Sequence, residues 1–324
     1  MKAIQFKQYG GPGVLEKVET ERPSLNENDV LIEIKAIGVN YADTARREGQ
    51  YVVPTKLPFI PGAEVAGVVA EIGSNVQGVH KGMRVITLIE AGGYAEYAVA
   101  AADMLIPIPD GIDFENAVAL PLQGLSAYHI LQTMGRLEKG ESVLVHAGAG
   151  GVGSLAIQLA KIFGAGKVIA TASTPEKRQF AEQMGADDTV DYTKDNWEEE
   201  VRKLTDGKGV DVALEMVGGE VFHKTVECLA AFGRLVIYGA ASGERATFYP
   251  ASLMKRNQSV IGFFLPQIMK KKSLLQTSLT ELLEYLSSGQ LELTIGGVYP
   301  LDEAAKVHEL LQGRKTKGKV VLVP

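Results

Sequence analysis

The sequence predicts an α/β protein of two domains, one β-rich and barrel-like, the other a doubly wound parallel sheet. Three observations predict it. At 324 residues the chain exceeds what one core usually serves. Up to about Val118, short β-rich runs alternate with glycine turns, whereas from about Ala119 the rhythm becomes strand then helix, as a parallel sheet covered on both faces requires. Third, Val143-Leu-Val-His-Ala-Gly-Ala-Gly-Gly-Val-Gly153 carries an apolar strand straight into a glycine-rich turn, and the helical pattern Ser154–Gly164 follows at once.

In chain order, the β-rich part holds Val30–Ile37, Glu64–Ile72, Arg84–Ile89 and Tyr94–Val99, spaced by Gly and Pro in the manner of a barrel. Six strands follow: Val143–His146, Val168–Thr171, Thr189–Asp191, Val210–Glu215, Arg234–Tyr238 and Ser259–Phe264, with helices between the first five. One helix is marked by its ends, since Thr174 can cap it, Pro175 takes its first position and Gly185 stops it. The tail carries amphipathic helices near Ser273–Ser287 and Leu301–Gln312 and a last strand, Val320–Val323, and is expected to fold back onto the first domain. The expected boundaries are therefore 1–118 with 266–324 for the β-rich domain and 119–265 for the parallel-sheet domain.

Gly148, Gly150 and Gly153 fit the G-x-G-x-x-G dinucleotide fingerprint in its proper context, strand before and helix after. The first glycine is expected to make the sharp turn, the second to let a pyrophosphate approach, and the third to let the helix pack on the strand. An NAD site ends its second strand with an acid for the ribose 2′-hydroxyl, but here that strand ends Ala170-Thr-Ala-Ser173. Lys177 and Arg178 follow in the first turn of the next helix, where cations oppose the helix dipole unless an anion is near. A 2′-phosphate would be that anion, so the reading is NADPH; two solvated surface charges are the other reading.

A net charge of −6 and a pI near 5.5 argue against a general nucleic-acid or membrane partner. Cys228 is the single cysteine, which excludes a disulfide framework and a multi-cysteine metal site. The chain opens charged and alternating, unlike a signal peptide, and has no bilayer-length apolar run, so the cytoplasm is the expected compartment.

Several segments together resemble the medium-chain dehydrogenase/reductase superfamily, and within it the zinc-free quinone oxidoreductases, the zeta-crystallin-like group. They are Gly38-Val-Asn-Tyr-Ala-Asp43, Arg46–Tyr51, Pro61–Val69, Gly82–Val85, Gly92–Tyr97, Leu122–Tyr128, the glycine turn, Val217–Gly219, Gly233–Gly239 and Gly318–Val321. The resemblance runs nearly end to end and implies a GroES-like barrel domain plus a Rossmann dinucleotide-binding domain. Zinc-dependent relatives place a Cys and a His where this chain has Asn40 and Ala63, and the five histidines lack ligand spacing, so no metal is expected.

The resemblance further implies reduction of quinones, or related conjugated carbonyls, by hydride from NADPH. Without zinc, hydrogen-bond donors must meet the developing oxyanion. Asn40 stands at the metal-ligand position and is the expected donor, Tyr51 is expected to close the pocket, and Asp43 to orient its neighbours. Bland roles are open to the same residues: Asn40 as a turn cap and Tyr51 as half-buried packing. Gly148, Gly150, Gly151, Val152 and Gly153 would hold the pyrophosphate, and Ser173, Lys177 and Tyr192 the adenosine phosphate. Val217, Gly218, Tyr238, Gly239, Ala240, Phe263, Phe264 and Leu265 would line the nicotinamide end, with Ser126 near its ribose; for Tyr192 and Phe264 core packing is the equal alternative. Other activities open to the chain are an enone or enoyl-thioester reductase and a low-turnover NADPH-binding structural or RNA-binding protein. A homodimer is expected through the apolar edge strand Ser259–Phe264.

Overall fold

In the computed structural model, which describes residues 1–324, the chain divides into two units, Met1–Leu122 with Leu293–Pro324 and Gln123–Glu292. The first is organised by one long strand, Asp29–Val39, which pairs antiparallel with three neighbours: Glu64–Ile72, Tyr97–Ala101 and the terminal strand Lys319–Val323. Its burial alternates only in the middle, at residues 33–36, and is continuous over 30–32 and 36–39, as befits a strand covered on both faces. The sheet runs in the order 295–300, 319–323, 29–39, 64–72, 84–88, 106–107, and a separate pair joins Lys2–Gln5 to Glu16–Glu19.

The register of the terminal strand has a consequence for the site. Val320 lies opposite Val39 and Val321 opposite Gly38, so Lys319 arrives beside Asn40 from nearly three hundred residues away.

The second unit is a six-stranded parallel sheet. In space its strands run Asp188–Val190, Lys167–Thr171, Ser142–Val145, Val210–Glu215, Leu229–Ile237, Ser259–Gly262, the order third, second, first, fourth, fifth, sixth. This is the doubly wound Rossmann order, and its direction reverses between the first and fourth strands. Trp197, Leu144, Ile169 and Leu229 are among the buried residues on one face. Helix Pro175–Gln183 begins as its sequence indicates: the Thr174 hydroxyl accepts from the Lys177 N–H at 3.3 Å and Pro175 follows.

The tail divides differently from expectation. Helix Lys272–Ser287 stays with the parallel sheet, where Tyr128 donates to Glu281 at 2.9 Å and Ser278 meets His129 at 3.1 Å. Only residues from Leu293 onward join the first unit, so the return lies at 293 and not at 266. An amphipathic pattern states that a helix needs a core; it does not state which core.

Candidate active site

The glycine turn leaves the carboxyl end of the first parallel strand, at the point where strand order reverses. Crevices of doubly wound sheets bind ligands there. Helix Gly151–Ile162 starts in this turn, so its first N–H groups and its positive dipole end belong to the site. Each glycine has its own physical reason. A Cβ on Gly148 would stand 2.8 Å from the Cβ of Ala170, and one on Gly153 would stand 2.2 Å from the Ala147 carbonyl oxygen. Both are therefore packing glycines, and the sharp turn expected of Gly148 is made with Ala147 in the left-handed region, at φ 52°. A Cβ on Gly151 would strike the Gln123 side chain at 2.1 Å, whereas one on Gly150 meets nothing nearer than 3.2 Å. Gly150 is the open position of the turn. Val152 lies half-buried in the first turn of the helix, and Ser126 is buried on helix Pro121–His129.

At the end of the second strand, Ser173 is half-buried and stands directly before the helix cap. Arg178 already has an anion: its guanidinium pairs with Asp191 at 3.0 Å and also reaches the Ala172 carbonyl. The case for a phosphate made from both cations thus loses its Arg178 half. Tyr192 packs against the core that contains Trp197.

The fourth strand ends in Glu215, a buried carboxylate that the sequence reading passed over as a strand terminus. It accepts from the N–H groups of Val217 at 2.6 Å and Gly218 at 2.9 Å, and burial raises its pKa even so. Gly218 can take this turn because its φ is 83°. The 238–242 segment runs alongside, with Ala241 and Ser242 donating to the carbonyls of Met216 and Val217 at 2.8 Å each. Val217, Gly218, Tyr238, Gly239 and Ala240 are thereby brought together. Phe263 extends the sixth strand by one bond to Ile237, Phe264 precedes helix Leu265–Met269, and Leu265 is buried.

In the first unit, Asn40 sits at the start of helix Tyr41–Arg47 and is nearly enclosed. Its amide nitrogen donates to the Gly38 carbonyl at 3.0 Å and to Glu64 at 3.2 Å, while its oxygen accepts from the Lys319 ammonium at 2.9 Å. Lys319 also pairs with Glu64, and both are buried. A side-chain amide has two hydrogens to donate, and both are used here. This geometry corrects the reading of Asn40 as the donor to an oxyanion. Three fragments of the sequence thereby share one cause: Gly38 must lack a Cβ, which would stand 2.4 Å from Glu64 and 2.7 Å from Lys319. Lys319 was missed because a lone Lys on a terminal strand reads as solvated.

Asp43 is fully enclosed. It accepts from the N–H of Asn40 at 2.9 Å, from that of Gly62 at 3.3 Å and from the Tyr94 hydroxyl at 3.4 Å, and burial lifts its pKa to about 6. Tyr94 meets His308 Nε2 at 2.9 Å, and His308 Nδ1 meets Arg47 at 3.1 Å. Arg47, itself buried, goes on to Glu48, Gln312 and the Gly10 carbonyl. Arg only donates, so Nδ1 accepts, Nε2 carries the hydrogen toward Tyr94, and Tyr94 gives its own to Asp43. Tyr51 stands half-exposed with the Arg46 guanidinium 4.2 Å over its ring, and burial raises its pKa.

Comparison with known proteins places these two units. The profile of the alcohol dehydrogenase GroES-like domain matches residues 26–110, and that of the zinc-binding dehydrogenase family matches residues 151–284. The quinone oxidoreductase of Pseudomonas aeruginosa is 38% identical over 100% of this chain and 99% of its own. The chain belongs to the quinone oxidoreductase family of the medium-chain dehydrogenase/reductases. Human quinone oxidoreductase is another full-length relative, 33% identical over 100% of this chain and 98% of its own. The crystal structure of Escherichia coli quinone oxidoreductase complexed with NADPH superposes with a TM-score of 0.95 at 34% identity, covering 100% of both chains.

Against that family background, the metal question turns on donors. Position 40 is Asn and position 63 is Ala, and no three His, Cys, Asp or Glu side chains gather to hold an ion. His146 is engaged by Thr171 at 2.9 Å and Thr225 at 2.8 Å, and burial lowers its pKa to about 4. It is a packed residue just past the strand end, beside the glycine turn.

Proposed function

We propose that this enzyme reduces quinones with NADPH by hydride transfer and without a metal. The observation that carries the reading is the acid-free end of the second strand beside an intact glycine turn, in a chain similar end to end to a quinone oxidoreductase crystallised with NADPH. The turn fits a dinucleotide: Gly150 is open where a Cβ would obstruct, and the helix N-terminus is favourable to phosphate. Gly150 to Gly153 are assigned the pyrophosphate, and Ser173, Lys177 and Tyr192 the adenosine phosphate. Val217, Gly218, Tyr238, Gly239, Ala240, Phe263, Phe264 and Leu265 are assigned the nicotinamide end, and Ser126 its ribose. The bound nicotinamide supplies the hydride.

The protein's own part is binding, orientation and hydrogen bonding. The Tyr51 hydroxyl, held by Arg46, is the donor we assign to the developing oxyanion, in place of Asn40. Asn40 and Asp43 are positioning residues: one locks Lys319 and Glu64, the other the turns at 40 and 62. No helix is long and apolar enough to cross a membrane, and we place the enzyme in the cytoplasm, where buried Cys228 stays reduced. A homodimer through Ser259–Gly262 belongs to the same reading, since that strand is the half-exposed edge of the sheet and Tyr249 and Met254 just before it are exposed. Light scattering should return twice the 34.7 kDa chain mass.

Turnover tests the reading. NADPH oxidation with a quinone panel should proceed faster than NADH oxidation and survive prolonged chelation. Lys177→Ala should weaken NADPH alone by about ten- to a hundredfold, the size of one charge-assisted hydrogen bond. Equal kcat/KM for both cofactors, or activity lost to a chelator and restored by zinc, would overturn it.

A further inference from the structure

The first unit contains a cavity whose lining, Arg46 apart, the reaction described above does not use. Arg46, Thr55, Lys56, Phe59, Ile89 and Glu90 form most of its wall. Thr55 is buried, 7% exposed, and its hydroxyl has no hydrogen-bond partner. Its carbonyl is occupied, accepting from Tyr9 at 2.7 Å, while its hydroxyl is left over. A buried hydroxyl without a partner is costly, and such groups in native proteins call for a ligand or water.

The neighbouring charge points the same way. The Arg46 guanidinium lies 4.2 Å from the Tyr51 ring centroid and 5.4 Å from that of Phe59. Stacking occupies the faces of a guanidinium, and its in-plane N–H groups beyond the one given to Tyr51 are left for an acceptor. The acid beside it in the chain is taken elsewhere, since Glu48 pairs with Arg47, and the Arg46 charge is felt at Asp43. Lys56 adds a second, exposed cation, and Glu90, exposed at the same wall, is the one acid. Phe59 and Ile89 supply the flat apolar surface that a conjugated ring needs.

We infer that this cavity is a specificity subsite for acceptors that carry an acidic group on a planar conjugated ring, the ring lying on Phe59 and Ile89 and the acid held by Arg46 and the Thr55 hydroxyl. The inference rests on the quinone reading for its ring and on the cavity for its charge. It makes Arg46 and Thr55 determinants of which quinone is preferred.

The test compares 1,4-naphthoquinone with its 2-sulfonate in turnover, and naphthalene-2-sulfonate with naphthalene-2-sulfonamide in calorimetric binding without turnover. The wild type should favour each anionic compound by about tenfold or more, in KM and not in kcat, and less so at high salt. Arg46→Gln should remove that preference, Arg46→Lys should keep most of it, and Thr55→Val should reduce it while leaving the uncharged quinone unaffected. Indifference of the wild type to the sulfonate, or equal losses for charged and uncharged compounds in both Arg46→Gln and Thr55→Val, would overturn the subsite. Tight sulfonate binding without reduction of any quinone would uphold the subsite and sink the quinone reading instead.

Discussion

The two units treat buried polarity in opposite ways. In the first, full charges are sunk and tied together: Lys319 to Glu64 and Asn40, and Arg47 through His308 and Tyr94 to Asp43. In the second, His146 lies between the neutral Thr171 and Thr225, the buried carboxylate of Glu215 is held by backbone N–H groups and not by a cation, and the glycine turn is made by side chains that are missing. One half of the machinery is built from what residues contribute, the other from the room they leave. The lesson is that the same substitution logic does not serve both: charge should decide stability in the first unit and volume in the second.

The largest effect should come from breaking the buried pair. Lys319→Met leaves Glu64 charged and enclosed and should cost about 3–5 kcal/mol in urea unfolding, with Glu64→Gln added in the same chain restoring part of it. A loss under about 1 kcal/mol would mean the pair is not sealed from water. Volume comes next. Gly153→Ala must push a Cβ into the Ala147 carbonyl and should cost about 1–3 kcal/mol, whereas Gly150→Ala should leave stability nearly unchanged and weaken NADPH binding. Equal stability losses at both positions would erase the distinction between packing and open glycines.

The smallest effect is in pH. Burial holds His129 and His146 at about 4 and His308 at about 3, below the ordinary 6.5, so their neutral forms stabilise the fold above that value and the benefit is lost on acidification. Asp43 runs the other way: held at about 6 against an ordinary 3.8, it favours the fold more as it takes up its proton. Glu215, raised by burial, acts with Asp43, but three groups outweigh two, so stability should rise with pH between about 4 and 6.5. Asp43→Asn removes the counterweight and should deepen the loss between pH 7 and pH 5 by about 1 kcal/mol. An unchanged acid response would show that Asp43 titrates normally.

How much of this was legible follows from the range of each interaction. Five of the six parallel strands and the cap at Thr174 are local, and the sequence displays them within a residue or two, whereas the fifth strand begins at Leu229, five residues before the expected Arg234. The metal-free reading came from single positions, Asn40 and Ala63. What escaped joins distant segments. Lys319 reaches Asn40 through strand register, Arg178 finds Asp191 across a helix and a strand, and helix Lys272–Ser287 chose the second core over the first. Periodicity carries no information on any of the three. Gly151 was read as part of a phosphate turn, and only the structure reveals Gln123 filling the space its side chain would need.

The line from Arg47 to Asp43 has one further consequence. A proton wire must be able to reset, every hydroxyl and ring turning over so that the next proton can follow. Here the far end is a guanidinium that never gives its proton up, and it pins His308, then Tyr94, in a single orientation. Asp43 therefore cannot be recharged from behind, despite a pKa near 6. The buried line is a brace that keeps Gly62 and Asn40 at a fixed separation, not a route for protons.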